Sequence, residues 1–169
     1  GDVYEYLLSK LATAGVNGQF RTPRHIIRMI VDMMQPKPDD VICDPACGTS
    51  GFLVTASEYL RENCKKEVLF DKANKDHYMN HMFYGYDMDR TMLRIGAMNM
   101  MTHGIDNPFI EYRDSLSDQN TDKDKYTLVL ANPPFKGSLD YEAVSADLLK
   151  VAKTKKTELL FLALFLRIL

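Results

Sequence analysis

Four consecutive residues, Asn132-Pro133-Pro134-Phe135, combine groups for which a protein core has little use. An amide, a carbonyl forced outward by the following proline and an aromatic face suit a planar ring that carries an exocyclic NH2. Asn132 Oδ1 and the Pro133 carbonyl can accept its two hydrogens while Phe135 stacks on the ring. The prolines neither continue a helix nor donate to a sheet ladder, and the run before them, Tyr126 to Ala131, is apolar and β-prone. The tetrapeptide is therefore expected at the carboxyl end of a strand, where open α/β sheets bind ligands. The plainer alternative is a proline-terminated strand followed by a buried Phe135.

A second group of residues suits a small cationic ligand. Val41-Ile42-Cys43 reads as a buried strand running into Asp44-Pro45-Ala46-Cys47-Gly48-Thr49-Ser50-Gly51-Phe52, and glycines between strand and helix allow a ligand close to the backbone. The GxGxxG form is absent. A carboxylate at the strand tip, Asp44, suits an amine and not a pyrophosphate, which favours S-adenosylmethionine over NAD. Phe83-Tyr84-Gly85-Tyr86-Asp87 is the next strand, its terminal acid placed to accept both ribose hydroxyls, with Met88 against the adenine. Asp114, after the strand Phe109 to Arg113, can accept from the cofactor's adenine amino group or serve as a helix cap or solvated loop residue. Upstream, the loop Gln19-Phe20-Arg21-Thr22-Pro23 delivers Thr22 as N-cap and Pro23 as first helical residue. It either caps the helix or offers free N-H groups to a ligand carboxylate.

The elements that position these residues follow from periodicity. Helices are expected at Asp2 to Ala14, after Pro23 (burying Ile26, Ile27, Ile30, Met33 and Met34), after Gly51, from an Asp89 N-cap to a Gly104 C-cap, and from Thr157 through Leu169. A shorter helical pattern covers Ala143 to Ala152. Residues 61–81 lack clear periodicity and read as an inserted surface loop, with His77 and His81 as solvated loop residues and not a metal site. The fold class is α/β, with four strands counted and helices on both faces of a mostly parallel sheet. At 169 residues, 46% hydrophobic and 26% charged, the chain has the material for one globular core. The net charge of −2 leaves no electrostatic footprint for nucleic acid. Three cysteines without disulfide or zinc spacing, and no signal peptide or membrane-length apolar span, place the chain in a reducing cytoplasm.

In this order, Gln19 to Pro23, Asp44 to Phe52, Asp87 and Asn132 to Phe135 resemble the modification subunit of type I restriction-modification enzymes. The flanking Tyr4-Glu5-Tyr6-Leu7-Leu8 and Lys155-Lys156-Thr157-Glu158-Leu159-Leu160-Phe161-Leu162 share the likeness. The resemblance implies a Rossmann-like S-adenosylmethionine-dependent methyltransferase fold that methylates adenine N6 in double-stranded DNA. Its partners are a flipped adenine, a second modification subunit, a specificity subunit that reads the sequence and, as an optional further member, the restriction subunit. Carried over residue by residue, Gln19 to Arg24 and Thr49-Ser50-Gly51 hold the methionine portion of the cofactor, Asp44 its amino group and Asp87 its ribose. The family's amino-terminal helical domain and later strands are not in the sequence. The chain thus reads as the front of a catalytic domain: residues 1–35 helices and cofactor loop, 40–135 the sheet, 136–169 a linker and apolar helix. The alternatives are a catalytically silent cofactor-binding subunit, or a methyltransferase acting on cytosine N4 or protein glutamine.

Overall fold

Short apolar runs separated by amphipathic stretches build a parallel sheet. The computed structural model describes residues 22–135 and 141–169, so the expected first helix and residues Gln19, Phe20 and Arg21 lie outside the described residues. Its strands are β1 (Ile42–Asp44), β2 (Phe83–Asp87), β3 (Phe109–Tyr112) and β4 (Leu128–Val129). They lie in the order β3-β2-β1-β4, and all pairings are parallel. The chain steps outward from β1 to β3, then returns to the other side of β1 for β4. That reversal lies between β1 and β4, and in sheets of this kind the carboxyl ends at the reversal flank the crevice that seats a ligand.

The helices are α1 (Arg24–Met34), α2 (Gly51–Asn63), α3 (Lys65–Phe70), α4 (Lys72–Asn80), α5 (Arg90–Thr102), α6 (Ala146–Val151) and α7 (Thr157–Ile168). Alternation along the strands sends side chains to two apolar clusters, one on each face. Ile42, Leu128 and Leu130 join Ile27, Phe52, Leu60 and Met100 from α1, α2 and α5. Cys43, Tyr86 and Tyr126 join Leu148, Leu160 and Leu164 from α6 and α7. The last turn of α7 is tied to the approach to β4: the carbonyls of Arg167 and Ile168 accept from the N-H groups of Asp124, Lys125 and Tyr126. Orphan carbonyls at a helix end thereby anchor the strand that carries the tetrapeptide.

Three expectations are corrected. Residues 61–81 are not a surface loop: α2 runs on to Asn63, and α3 and α4 fold back on the core, burying Val68 and Tyr78 completely. His77 is correspondingly no loop residue, because its Nε2 lies 2.7 Å from the Asp40 carbonyl oxygen. In α1, Ile27 and Val31 form the buried stripe, while Met33 and Met34 face solvent at 76% and 52% exposure. In α7, Leu160, Phe161, Ala163, Leu164 and Ile168 are buried, but Leu162 and Leu166 are exposed. No described helix is long and apolar enough to cross a membrane.

The packing of α4 is open to measurement. Tyr78 is wholly buried, meets Phe83 edge-on and donates to the Ser57 carbonyl at 3.0 Å. Tyr78→Ala should cost about 3–5 kcal/mol in urea unfolding, and Tyr78→Phe about 0.5–1.5 kcal/mol for the lost hydrogen bond. A loosely attached loop would leave both variants at wild-type stability.

Candidate active site

The turn between β1 and α2 is held by the elements around it. The Cys47 N-H donates to the Tyr86 carbonyl at 2.9 Å, bridging the turn to β2. The Gly48 N-H donates to Asp87 Oδ2 at 2.9 Å. Beyond β3, the Ser115 hydroxyl donates to the Pro45 carbonyl at 2.6 Å. From α5, Asn99 Nδ2 donates to the Thr49 carbonyl at 2.9 Å, and Gly96 lets the helix approach so closely that a Cβ there would meet Ser50 Oγ at 2.6 Å and the Gly48 carbonyl at 3.1 Å. Two residues of the turn adopt positive φ, Gly48 at 50° and Ser50 at 63°. Glycine takes that conformation without strain and serine does not. A Cβ built on Gly48 meets nothing within 4 Å, so the turn presents bare backbone to open space.

Two carboxylates flank this turn. Asp44 is 1% exposed, and the Ala46 N-H donates to its Oδ1 at 3.0 Å. Burial pushes its carboxyl up to about 8; the Ala46 amide opposes the rise and the Asp87 charge adds to it. A carboxyl in that state is returned to its ionised form by a cation placed beside it. Asp87, half-buried, accepts from Gly48 N-H through Oδ2 and from Asp89 N-H at 2.9 Å through Oδ1. Each oxygen keeps a further lone pair.

On the other side of β1, the Leu130 N-H donates to the Cys43 carbonyl at 3.0 Å, so Asn132 leaves the sheet beside the Asp44 turn. Asn132 and Pro133 are half-buried and Pro134 is exposed. Phe135 is 70% exposed, which excludes the alternative of a buried core ring. Asn132 Nδ2 donates to Thr22 Oγ1 at 2.9 Å. Thr22 is therefore not the N-cap of α1: Pro23 holds that position without a side-chain cap bond, and Arg24 is the first helical residue.

The remaining expected residues are dispersed. Phe52 packs into the core at 5% exposure, so its side chain cannot face a ligand. Met88 is exposed beyond β2. Asp114, half-buried, turns Oδ1 to the Leu116 N-H at 3.1 Å and so caps a turn, not a helix. Asp89 caps α5 as expected, accepting from Thr91 and Met92. Among the described residues, no group of three or more His, Cys, Asp or Glu is arranged to hold a metal ion. Sequence reasoning missed Gly96 and Asn99; a glycine inside a helical pattern was the available signal. It also missed a polar cluster on the opposite face. Arg113 lies 3.7 Å over the Tyr86 ring and pairs with Asp122 at 2.6 Å, while Asp122 accepts from Tyr126, whose hydroxyl meets that of Tyr86. Burial acts to raise Asp122, but its hydrogen bonds from Tyr126, Lys125 and Arg113 outweigh it and hold the carboxyl below the ordinary range.

The family model for N-6 DNA Methylase matches residues 1–169. The methylase subunit of the type I restriction enzyme EcoEI from Escherichia coli is 32% identical over 172 residues, covering 100% of this chain and 34% of that protein. A crystal structure assigned as a modification subunit of a type I restriction enzyme from Vibrio vulnificus YJ016 superposes with a TM-score of 0.78 at 29% identity. It covers 98% of this chain and 34% of that one. The crystal structure of the EcoKI M protein from Escherichia coli K12 gives 0.75 at 26% identity, covering 89% and 32%. The chain thus spans about a third of the length of the relatives it matches.

Two substitutions test the geometry. In an open helix Gly→Ala is worth about 1 kcal/mol in favour of folding, but at Gly96 the backbone carbonyl of Gly48 blocks the methyl. Gly96→Ala should instead lose about 1–3 kcal/mol in urea unfolding. For Asp44, folding raises the carboxyl from about 4 in the unfolded chain to about 8. The folded state then keeps a proton that the unfolded state releases, so stability falls as pH rises through that window. Asp44→Asn should be the more stable protein at pH 7, with the advantage shrinking toward pH 4. An advantage equal at both pH values in thermal melts would refute the raised carboxyl.

Proposed function

Because the chain belongs to the N-6 DNA methylase family, we propose that it carries the methyl-transfer site of a type I modification subunit, which methylates adenine N6 in DNA using S-adenosylmethionine. The observation that carries this reading is the emergence of Asn132, with an exposed Phe135, beside the Asp44 turn at the reversal of the sheet. An amine-recognising tetrapeptide and a cation-demanding carboxyl there share one crevice.

The residues present fit the cofactor. Among the described residues no cation restores the charge of Asp44, the open space at Gly48 admits a ligand against the backbone, and Asp87 retains acceptor capacity at the adjacent strand tip. When bound, S-adenosylmethionine supplies an electrophilic methyl group on a sulfonium. Asp44 would hold its ammonium, Asp87 its ribose hydroxyls, and the Gly48 to Gly51 turn its methionine portion.

The target adenine must leave the duplex, since a stacked base does not offer N6 for in-line attack. Phe135 stacks on the extruded ring, a contact worth about 1–3 kcal/mol. Asn132 Oδ1 and the Pro133 carbonyl accept both N6 hydrogens, turning the nitrogen lone pair toward the methyl. They stabilise the positive charge that grows as the N-C bond forms and the C-S pair returns to sulfur. A proton then leaves N6 along the same hydrogen bonds to solvent, so no general base acts before transfer. A net charge of −2 gives this chain little hold on DNA, and a specificity subunit together with a second modification subunit would supply sequence reading and grip.

The test is single-turnover methyl transfer by the full-length subunit in its assembly, with cofactor affinity measured separately. A hydrogen bond to a charged group contributes about 1.5–3 kcal/mol, so Asn132→Ala should slow transfer about 10- to 100-fold while S-adenosylmethionine binds as before. Wild-type transfer by Asn132→Ala would reduce the tetrapeptide to a strand terminator.

A further inference from the structure

Resting on that reading, we propose that Thr22 is a positioning residue for Asn132: it takes the NH2 end of the amide, so that Oδ1 faces the target amine. The two residues lie 110 positions apart, and Asn132 Nδ2 donates to Thr22 Oγ1 at 2.9 Å. Two further observations give the contact its meaning.

The first is what Thr22 does not do. A threonine before a helix ordinarily spends its oxygen on the first turn, but α1 is capped at Pro23 without a side-chain bond. Thr22 stands one residue before that cap, and its hydroxyl oxygen meets Asn132 instead. The second is what Asn132 lacks. An asparagine oxygen is commonly consumed by a backbone N-H one or two residues on. Here the next two residues are Pro133 and Pro134, which have none. Neither proline can engage Oδ1, and Thr22 accepts from the other end of the amide. With Nδ2 engaged by Thr22 the amide presents Oδ1; turned over, it would present NH2 to the adenine amine, a donor facing a donor.

The experiment is a double-mutant cycle in the full-length subunit within its assembly, read by single-turnover methyl transfer at saturating S-adenosylmethionine, with cofactor affinity measured in parallel. Thr22→Val keeps the shape and removes the acceptor. It should slow transfer about 10-fold, the scale of one neutral hydrogen bond, and leave cofactor affinity unchanged. In the Asn132→Ala background the same substitution should change the rate by less than about 2-fold, because the group it positions is gone. Thr22→Ser, which keeps the oxygen, should restore the rate, and Thr22→Ala tests the same bond should valine disturb the loop. Equal losses in both backgrounds, or a loss of cofactor affinity with the saturated rate intact, would overturn the inference. A slow Asn132→Ala beside a fully active Thr22→Val sinks the inference alone. A fully active Asn132→Ala sinks the methyl-transfer reading beneath it.

Discussion

The parallel pairing of β1 between β2 and β4 fixes the level at which every side chain of the site emerges. Asp44 is aligned with Gly85 and Cys43 with Val129, so Asp44, Asp87 and Asn132 leave three neighbouring strands within about two residues of one another. Strands spaced about 4.8 Å apart then bring the three side chains to one rim. A slip of one residue would reverse every side chain of the slipped strand. Asp44 would exchange places with Cys43, and the crevice would lose its carboxyl. The hydrogen bonds from Cys47 to Tyr86 and from Leu130 to Cys43 extend the pairing beyond the formal strand ends, which is why strands of only two and three residues suffice.

The two polar groups of the sheet are in opposite electrostatic states. Around Arg113, Asp122, Tyr86 and Tyr126, each charge or hydroxyl is answered by another, and such a closed network serves to specify packing. At the crevice, Asp44 is desolvated beside a second acid with no cation in reach among the described residues. A buried carboxyl that is not compensated costs stability, and fixed, uncompensated groups of this kind mark functional sites. The contrast separates the cluster that holds the sheet from the one that an added cation would stabilise.

Local rules carried the sequence reading where side chains act on their own backbone. Asp89 as a cap, the prolines after β4 and the acids at the ends of β1 and β2 were legible because their effect spans only a few residues. It faltered where distant elements decide. Residues 61–81 are polar over most of their surface, and the burial of Val68 and Tyr78 depends on α2 lying beneath them. The α1 methionines follow helical spacing, but only the narrower stripe of Ile27 and Val31 meets the core. Thr22 obeys the rules for an N-cap, and Asn132, which claims its oxygen, is invisible at that range. Gly96 and Asn99 belong to the same class, since their roles exist only once α5 lies against the turn.

The exposure of Phe135 has a spectroscopic consequence. The chain contains no tryptophan, so an indole at this position would be its sole strong emitter above the tyrosine background. Phe135 stands 70% exposed at the mouth of the crevice, where the larger ring displaces no packed neighbour from the core. On the methyl-transfer reading proposed above, Phe135→Trp would be an optical reporter, quenched when a base lies on it and bright when none does. The arrival and departure of an extruded base would then be visible in real time, separated from the chemical step that follows.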